Sequence, residues 1–157
     1  GYGCASGLGI PAPVCVPGCT DDTDCPSGRT CNPEGGGSCF NPSANFGDPC
    51  VASSDCPGGG RCYTEERRGY PAGMCVFYGC DLVANTGCPD DFQCLPGGMS
   101  GFGRCFDGCA ATGDCRSAYA CAAPEAYPDR MVCTPACVTN DDCTGGRVCD
   151  TTAGTCA

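Results

Sequence analysis

The sequence contains no histidine, no lysine and no tryptophan among its 157 residues. Without histidine, the chain cannot assemble the conventional triad of serine and cysteine hydrolases, in which histidine is the general base. Without tryptophan, it lacks the aromatic walls that commonly form the sugar-binding cleft around a glycosidase carboxylate pair. These absences predict that the protein is not an enzyme. No apolar run approaches the roughly 18 residues of a membrane-spanning helix, so no membrane span is predicted either.

Positive charge is scarce. The chain has 8 arginines against 18 acidic residues, and its formal net charge is −10. Such a chain has no general electrostatic attraction for nucleic acid or for anionic membrane surfaces, so no nucleic-acid partner is predicted. Its adjacent acids Glu65 and Glu66 are followed at once by Arg67 and Arg68. We interpret that segment as a solvated charged loop and not as a catalytic pair.

What the chain has in abundance is cysteine, with 22 Cys beside 26 Gly and 14 Pro. Ordering a chain rich in glycine costs much conformational entropy, so we expect cross-links to hold the fold together. This cysteine content is typical of a disulfide scaffold in an extracellular protein, either secreted or at the cell surface. The even number allows every cysteine to be paired within the chain.

The cysteines recur at nearly constant spacing, which predicts a tandem repeat. Five sets read Cys-x5-Cys-x5-Cys-x(6–12)-Cys, except that the third set opens with seven intervening residues. A truncated module at the N-terminus, residues 1–18, carries Cys4 and Cys15. The complete modules are module 1 (19–39), module 2 (50–75), module 3 (80–105), module 4 (109–133) and module 5 (137–156).

Details inside the modules predict the local structure. An aspartate precedes the second cysteine in four modules, and in three a glycine follows that cysteine three residues later. Because aspartate can bond the backbone two residues further on, this pattern predicts a tight turn after the aspartate. The last loop of each module predicts a short β-hairpin, and no window shows a helical apolar period. The predicted fold is a small disulfide-rich repeat array of loops and short β-hairpins, with little or no α-helix and a minimal hydrophobic core. Residues 40–49 form a linker, which is either a hinge or a loop packed by Phe40 and Phe46.

The spacing Cys109-x5-Cys115-x5-Cys121-x11-Cys133 resembles the opening half of the colipase, prokineticin and Dickkopf cysteine modules. The pattern Asp-Cys-x-x-Gly-x-x-Cys, which ends at Cys31 in module 1, resembles EB-type extracellular modules. The tandem arrangement is similar to that of cysteine-rich surface repeat proteins of delta-proteobacteria and their relatives. The resemblance implies a bacterial surface protein.

Four cysteines allow three pairings, and the resemblance to colipase-like modules implies one of them, first to third and second to fourth. A bond between Cys4 and Cys15 would close the truncated module. The implied bonds are Cys19–Cys31, Cys25–Cys39, Cys50–Cys62, Cys56–Cys75, Cys80–Cys94, Cys88–Cys105, Cys109–Cys121, Cys115–Cys133, Cys137–Cys149 and Cys143–Cys156.

The spacing of the cysteines and aspartates indicates which metal sites the chain could form. The closest cysteines, such as Cys15 and Cys19, have three residues between them and histidine is absent, so the Cys-x2-Cys spacing typical of zinc and iron–sulfur sites is missing. No cofactor is predicted on this basis. Calcium is the alternative, because three acidic clusters, at residues 21–24, 90–91 and 141–142, offer oxygen ligands without matching an EF-hand loop. We favour the interpretation that these aspartates form turns; the calcium candidates are Asp21, Asp22, Asp24, Asp141 and Asp142.

Two functions are compatible with this pattern. The first is a non-catalytic extracellular structural protein, a disulfide-stapled rod or a self-assembling surface filament subunit. Its partner would be itself, through a head-to-tail contact in which Tyr2, Leu8 and Ile10 of the truncated module dock on module 5 of a neighbour. The alternative is a secreted binding module, which is to say a ligand, a receptor ectodomain or a protease inhibitor. An inhibitor directed at trypsin would use an arginine, and the candidates are Arg67, Arg68 and Arg130.

Overall fold

The computed structural model describes residues 2–5, 14–33, 37–89, 91–96 and 103–157, with residues 2–5 and 14–17 described as backbone. Within these ranges the chain forms short antiparallel strands and one α-helix of four residues, α1 (Glu65–Arg68). The predicted fold class is confirmed. The strands are β1 (Tyr2–Ala5), β2 (Val14–Pro17), β3 (Thr30–Asn32), β4 (Ser38–Phe40), β5 (Gly60–Tyr63), β6 (Met74–Cys80), β7 (Phe92–Pro96), β8 (Gly103–Asp107), β9 (Tyr119–Ala122), β10 (Val132–Pro135), β11 (Cys149–Asp150) and β12 (Thr155–Cys156).

Each complete module ends in one β-hairpin, in which the third and fourth cysteines stand directly opposite each other. Cys121 is opposite Cys133 in module 4, for example, and the other four modules share this register. A 3₁₀ helix follows the first cysteine in modules 1, 2, 4 and 5, and its last residue precedes the second cysteine. The opening loop of a module therefore lies across its own hairpin.

Modules 2 and 3 share one sheet. Its four strands lie in the order β5-β6-β8-β7. The sequence pattern predicted residues 76–79 to be a spacer between the two modules, but these residues belong to β6, which pairs with β5 on one side and β8 on the other. Val76, Phe77 and Tyr78 have β-branched or aromatic side chains, which favour a strand.

One small hydrophobic core joins three modules. It is formed by Tyr63, Met74, Val76, Leu95, Phe106, Tyr119, Val132 and Cys133. These residues come from modules 2, 3 and 4 and from the strands β6 and β8, which continue past the last cysteines of modules 2 and 3. The cores around the disulfides of modules 2, 3 and 5 consist largely of cysteine. Packing is therefore shared between modules, while the cross-links are confined within them.

The segment 40–49 packs on modules 2 and 3. The ring of Phe46 makes edge contacts with Phe77 and Phe92, with ring centroids 5.4 and 6.2 Å apart. The backbone N–H of Gly47 donates to the carbonyl of Cys75 at 2.8 Å. The segment is thus a packed loop, which is the second of the two alternatives that its sequence left open.

Candidate functional site

Ten disulfides are present in the described residues, and each joins cysteines of one module. Their Cα–Cα distances are 5.4–5.9 Å, well within the usual range for a disulfide. The pairing is first to third and second to fourth in all five modules, as the resemblance to colipase-like modules implies. None of the described cysteines is free.

The truncated module is described only in part. Cys4 and Cys15 stand opposite each other between β1 and β2, but their side chains lie outside the described part of the structure, so their bond remains a prediction. Two of the three residues predicted to mediate self-assembly, Leu8 and Ile10, also lie outside the described residues, as does the side chain of Tyr2.

The aspartate before the second cysteine closes the opening loop. In module 4, the carboxylate of Asp114 accepts hydrogen bonds from the backbone N–H groups of Ala110 and Ala111, both at 2.8 Å. The same bonds recur at Asp55 and Asp142. They lower the pKa of Asp114 and of Asp142, because they favour the ionised carboxyl. We had expected an aspartate here to bond the chain that follows it; it bonds the chain that precedes it.

A second recurring hydrogen bond was not foreseen from the sequence. In every complete module, a short polar side chain accepts from the backbone N–H of the third cysteine, nine residues further along the chain. The signal was present, because that position always carries a residue with a short side chain and an acceptor oxygen. The acceptors are Asp22, Ser53, Asn85, Thr112 and Asn140, and the donors are Cys31, Cys62, Cys94, Cys121 and Cys149 respectively.

The aspartates considered for calcium mostly bond backbone of their own module. Asp21 accepts from the N–H of Thr23, and Asp24 accepts from the N–H of Thr20, both at 2.8 Å. Asp22 and Asp142 have the roles given above, and Asp141 is exposed. Within the described ranges, the groups of three or more candidate metal ligands lying within 4.8 Å of one another consist of cysteines, and these are disulfide-bonded. The turn-forming interpretation therefore accounts for four of the five aspartates, and a calcium site remains a prediction.

Glu65 joins module 2 to module 5. Its carboxylate accepts from the backbone N–H of Ala72 at 2.8 Å, and from the N–H of Thr144, 79 residues away, at 2.7 Å. The side chain is only 6% exposed, whereas Glu66 is exposed. The interpretation of this segment as a solvated charged loop is therefore wrong for Glu65. The helical turn α1 places the two neighbours on opposite sides, one toward module 5 and the other toward solvent.

The end of α1 strengthens the same contact. Gly69 has a φ of +69°, the left-handed conformation that suits a residue without Cβ. A Cβ at this position would also lie 2.9 Å from Cβ of Thr155 in module 5. The carbonyl of Gly69 accepts from the N–H of Cys156 at 3.0 Å. Backbone and side-chain bonds therefore hold the two modules together over the length of α1.

Module 4 docks on module 2 through a buried tyrosine and an arginine. The hydroxyl of Tyr119 donates to the carbonyl of Pro71 at 3.1 Å, and the guanidinium of Arg116 donates to the same carbonyl and to that of Gly73. Burial raises the pKa of Tyr119 far above its ordinary value, so its hydroxyl remains a donor. Modules 2 and 4 are thus joined by two side chains of module 4 that also bond each other, since the guanidinium of Arg116 donates to the hydroxyl of Tyr119 at 2.6 Å.

Two more arginines join modules. Arg29 of module 1 forms an ion pair with Asp55 of module 2, with a guanidinium–carboxylate distance of 2.5 Å. Arg130 of module 4 donates to the carbonyls of Leu82 and Cys94 in module 3. Together with the shared sheet, these contacts connect module 2 directly to each of the other four complete modules.

The arginines considered for protease inhibition are placed differently from what that function requires. Arg130 is partly buried and uses its guanidinium within the fold. Arg67 and Arg68 are exposed, but they lie in the helical turn α1 and not on an extended loop. None of the three presents a free arginine on an extended segment.

Four aspartates line an open cavity of about 640 Å³ between modules 3 and 4. They are Asp91, Asp107, Asp114 and Asp129. Burial raises the pKa of Asp107, the charge of Asp91 adds to this effect, and Arg116 opposes it. Ionisation of Asp107 therefore lowers the free energy of unfolding.

Replacing Asp107 with asparagine is expected to stabilise the protein at neutral pH. A carboxyl whose pKa is raised by folding costs stability above that pKa, and the cost disappears as the pH falls through it toward the unfolded value of about 3.9. The gain in the free energy of unfolding should shrink over the same range. Denaturation with intact disulfides at a series of pH values measures it. Asp141→Asn removes the same charge at an exposed position and is the control. An equal gain in stability from both variants would contradict the conclusion that the burial of Asp107 is the cause.

Three exposed arginines and two tyrosines form a second open cavity on module 2 and the strand that follows it. We call it the arginine–tyrosine pocket; it is formed by Arg61, Tyr63, Arg67, Arg68 and Tyr78 and measures about 510 Å³. The guanidinium of Arg68 lies over the ring of Tyr63, 5.1 Å from its centroid. The absence of tryptophan had suggested that aromatic walls would be missing, but the fold supplies two of them from tyrosine.

A scan against protein-family models, a search of curated proteins and a search of solved structures each found no match to this chain. The resemblance to colipase-like modules therefore remains a prediction from the cysteine spacing. Ten disulfides fit an extracellular or secreted protein. No helix in the described residues has the length and apolarity needed to cross a membrane.

Proposed function

We propose that the protein is a non-catalytic extracellular structural protein. It would be a subunit of a cell-surface assembly, with its modules held together by their contacts with module 2. The observation that carries this proposal is the docking of every complete module on module 2, above all through the buried carboxylate of Glu65. The polar groups at these docking contacts bond backbone groups of a neighbouring module. Their arrangement supports a mechanical role, because each contact ties together two modules that disulfides already stiffen internally.

The contacts favour a folded-back unit over an extended rod. In a linear array, each repeat contacts only its neighbours in sequence. Here module 2 bonds module 4 through Tyr119 and module 5 through Glu65. A filament of this protein would therefore be built from compact subunits that associate with one another.

Electron microscopy of the non-reduced protein, combined with limited proteolysis, tests the structural role. The expected result is regular assemblies at high concentration, together with subunits that resist proteases until a reducing agent is added. The triple serine variant of Tyr2, Leu8 and Ile10 tests whether the truncated module makes the assembly contact. Dispersed particles that are cleaved readily without reduction would contradict a structural role.

A second candidate function, a secreted binding module, is supported by one feature. The arginine–tyrosine pocket offers three exposed guanidinium groups and two aromatic rings in one concave site. A few convergent polar groups beside aromatic walls are typical of a ligand site. Binding and a structural role are compatible, because neither Glu65 nor Tyr119 lines the pocket.

A further inference from the structure

Half of the positive side chains in the protein gather on one face of modules 2 and 3. Arg61 lies on β5, Arg67 and Arg68 lie on α1, and Arg104 lies on β8. The whole chain has eight arginines, no lysine and a net charge of −10. Such a local concentration of positive charge in an acidic chain produces a potential that attracts anions to this face.

The three arginines that line the pocket are not neutralised. Arg61, Arg67 and Arg68 are exposed, and the ion pairs within the described ranges involve other arginines. The same is true of the hydrogen bonds that guanidinium groups donate there. No acidic residue is among those that line the pocket. Their donors are therefore free to bind an anion from solution.

Arg104 supplies a second, independent indication. It is only 8% exposed, and its Nε atom has no hydrogen-bond partner. Its guanidinium lies over the rings of Tyr63 and Tyr78, 5.1 and 5.3 Å from their centroids. Burial lowers its pKa, since the charged form is desolvated. A buried charge without a carboxylate beside it is costly, and an anion in the pocket lined by these rings would offset part of that cost.

The two tyrosines suit a ring-shaped ligand. Tyr63 is 5% exposed and forms the floor, whereas Tyr78 is 37% exposed, and their hydroxyl oxygens lie 3.2 Å apart. An aromatic face packs against apolar C–H groups, and a phenolic hydroxyl exchanges hydrogen bonds. A sugar ring offers both kinds of surface. A sugar that also carries a carboxylate would bond the guanidinium groups in the bidentate geometry that arginine favours.

We propose that the arginine–tyrosine pocket binds a sugar acid, with its carboxylate on the arginines and its ring against Tyr78. The volume of about 510 Å³ falls within the usual range for small-ligand sites. A long, densely charged polyanion such as nucleic acid fits less well, because it extends beyond the pocket and the net charge of −10 on the chain repels it. This site goes beyond the structural role and holds whether or not the protein assembles.

Titration of the 157-residue, non-reduced chain with three probes tests the proposal. The probes are a galacturonate trimer, its neutral methyl ester and sodium sulfate, with binding followed by calorimetry or by amide chemical shifts. We expect the trimer to bind at least tenfold more tightly than its ester. Arg61→Gln should weaken trimer binding about tenfold, whereas Arg147→Gln, the same change of charge outside the pocket, should leave it unaltered. Tyr78→Ala should weaken trimer binding but not sulfate binding.

Four results would overturn the proposal. Equal binding of the trimer and its ester would show that the carboxylate is not recognised. Sulfate binding as tight as trimer binding, unaffected by Tyr78→Ala, would show a simple anion site. Self-association that Arg61→Gln abolishes, without any trimer binding, would assign the pocket to the acidic surface of a second copy. Absence of binding at millimolar concentration by a chain that retains its native amide spectrum would exclude the site outright. Failure of assembly in the microscope would bear on the structural role alone.

Discussion

Replacing the buried Glu65 with alanine is expected to lower the free energy of unfolding by about 3 kcal/mol, because it removes the buried, charged acceptor of two backbone donors. Those donors are the N–H groups of Ala72 and Thr144, 2.8 and 2.7 Å from the carboxylate. Hydrogen bonds to a charged group are worth about 1.5–3 kcal/mol each, and the hydroxyl of Thr144 adds a weaker one at 3.1 Å. The loss should be concentrated where module 5 meets module 2.

The neighbouring residue provides a matched control. Glu66 is exposed, and substitutions at exposed positions usually change stability by less than about 0.5 kcal/mol. Glu66→Ala removes the same charge from the same helical turn and should therefore have little effect. Glu65→Gln keeps one acceptor oxygen, so it should cost less than Glu65→Ala and more than Glu66→Ala.

Denaturant unfolding with intact disulfides measures the three variants, and hydrogen exchange locates the effect. The amides of Ala72, Thr144 and Cys156 should exchange faster in Glu65→Ala, since the last of these donates across the same contact to Gly69. Similar stability of Glu65→Ala and Glu66→Ala would show that module 5 does not depend on the buried carboxylate.

The sequence pattern predicted the interior of each module because that structure is local. A disulfide between residues 12–19 positions apart and a hairpin between neighbouring strands depend on short spacings, and spacing is directly visible in a sequence. The same is true of the aspartate before the second cysteine, although its hydrogen bonds run in the opposite direction from the one expected. Spacing alone leaves three pairings for the four cysteines of a module, and the resemblance to colipase-like modules implied the one that is observed.

The docking between modules could not be predicted in this way. Glu65 and Glu66 look equivalent in the sequence, and only the position of Thr144, 79 residues away, makes one of them buried. Arg130 and Arg67 look like two exposed arginines on long loops, yet one bonds carbonyls of module 3 and the other remains free. Long-range contacts of this kind depend on the folded arrangement of the modules, which cysteine spacing does not encode.

The shared sheet and the arginine–tyrosine pocket have the same origin. Cysteine counting treats residues 76–79 as a spacer, because the module ends at Cys75 and the next one begins at Cys80. The strand β6 runs through both cysteines and places Tyr78 beside Tyr63 of the adjacent strand, with ring centroids 6.4 Å apart. The pocket thus exists because the module boundary coincides with a continuous strand. The run of Val76, Phe77 and Tyr78, whose β-branched or aromatic side chains favour a strand, was the signal that could have revealed it.

Removal of the disulfide Cys56–Cys75 is expected to loosen modules 3, 4 and 5 as well as module 2. Both cysteines are almost completely buried, with 0% and 1% exposure. Their bond closes a segment of 19 residues, and constraining such a loop in the unfolded chain contributes about 3 kcal/mol. The double variant Cys56→Ala, Cys75→Ala loses that constraint and leaves a cavity at the centre of the array, so its total cost should be larger.

The equivalent bond of module 1, Cys25–Cys39, is the control. It closes a segment of 14 residues, so its entropic contribution is also about 3 kcal/mol. Any difference between the two double variants therefore reflects position and not loop length. Module 1 contacts its neighbour mainly through Arg29 and the linker, so removing its bond should increase hydrogen exchange in residues 19–39 and leave the amides of β9 and β11 protected.

The comparison also distinguishes two mechanical designs. If module 2 stabilises the other modules, loss of Cys56–Cys75 should accelerate amide hydrogen exchange in β9 and β11, which lie 44 residues or more beyond Cys75. Modules 4 and 5, which contain these strands, should also become more sensitive to proteases. If each variant loosens only its own module, the modules are independent units that fold one by one, as expected for a linear array. In that case the contacts of Glu65 and Tyr119 would orient modules without stabilising them. A surface building block needs the first design, because a load applied to one module must be shared by the others.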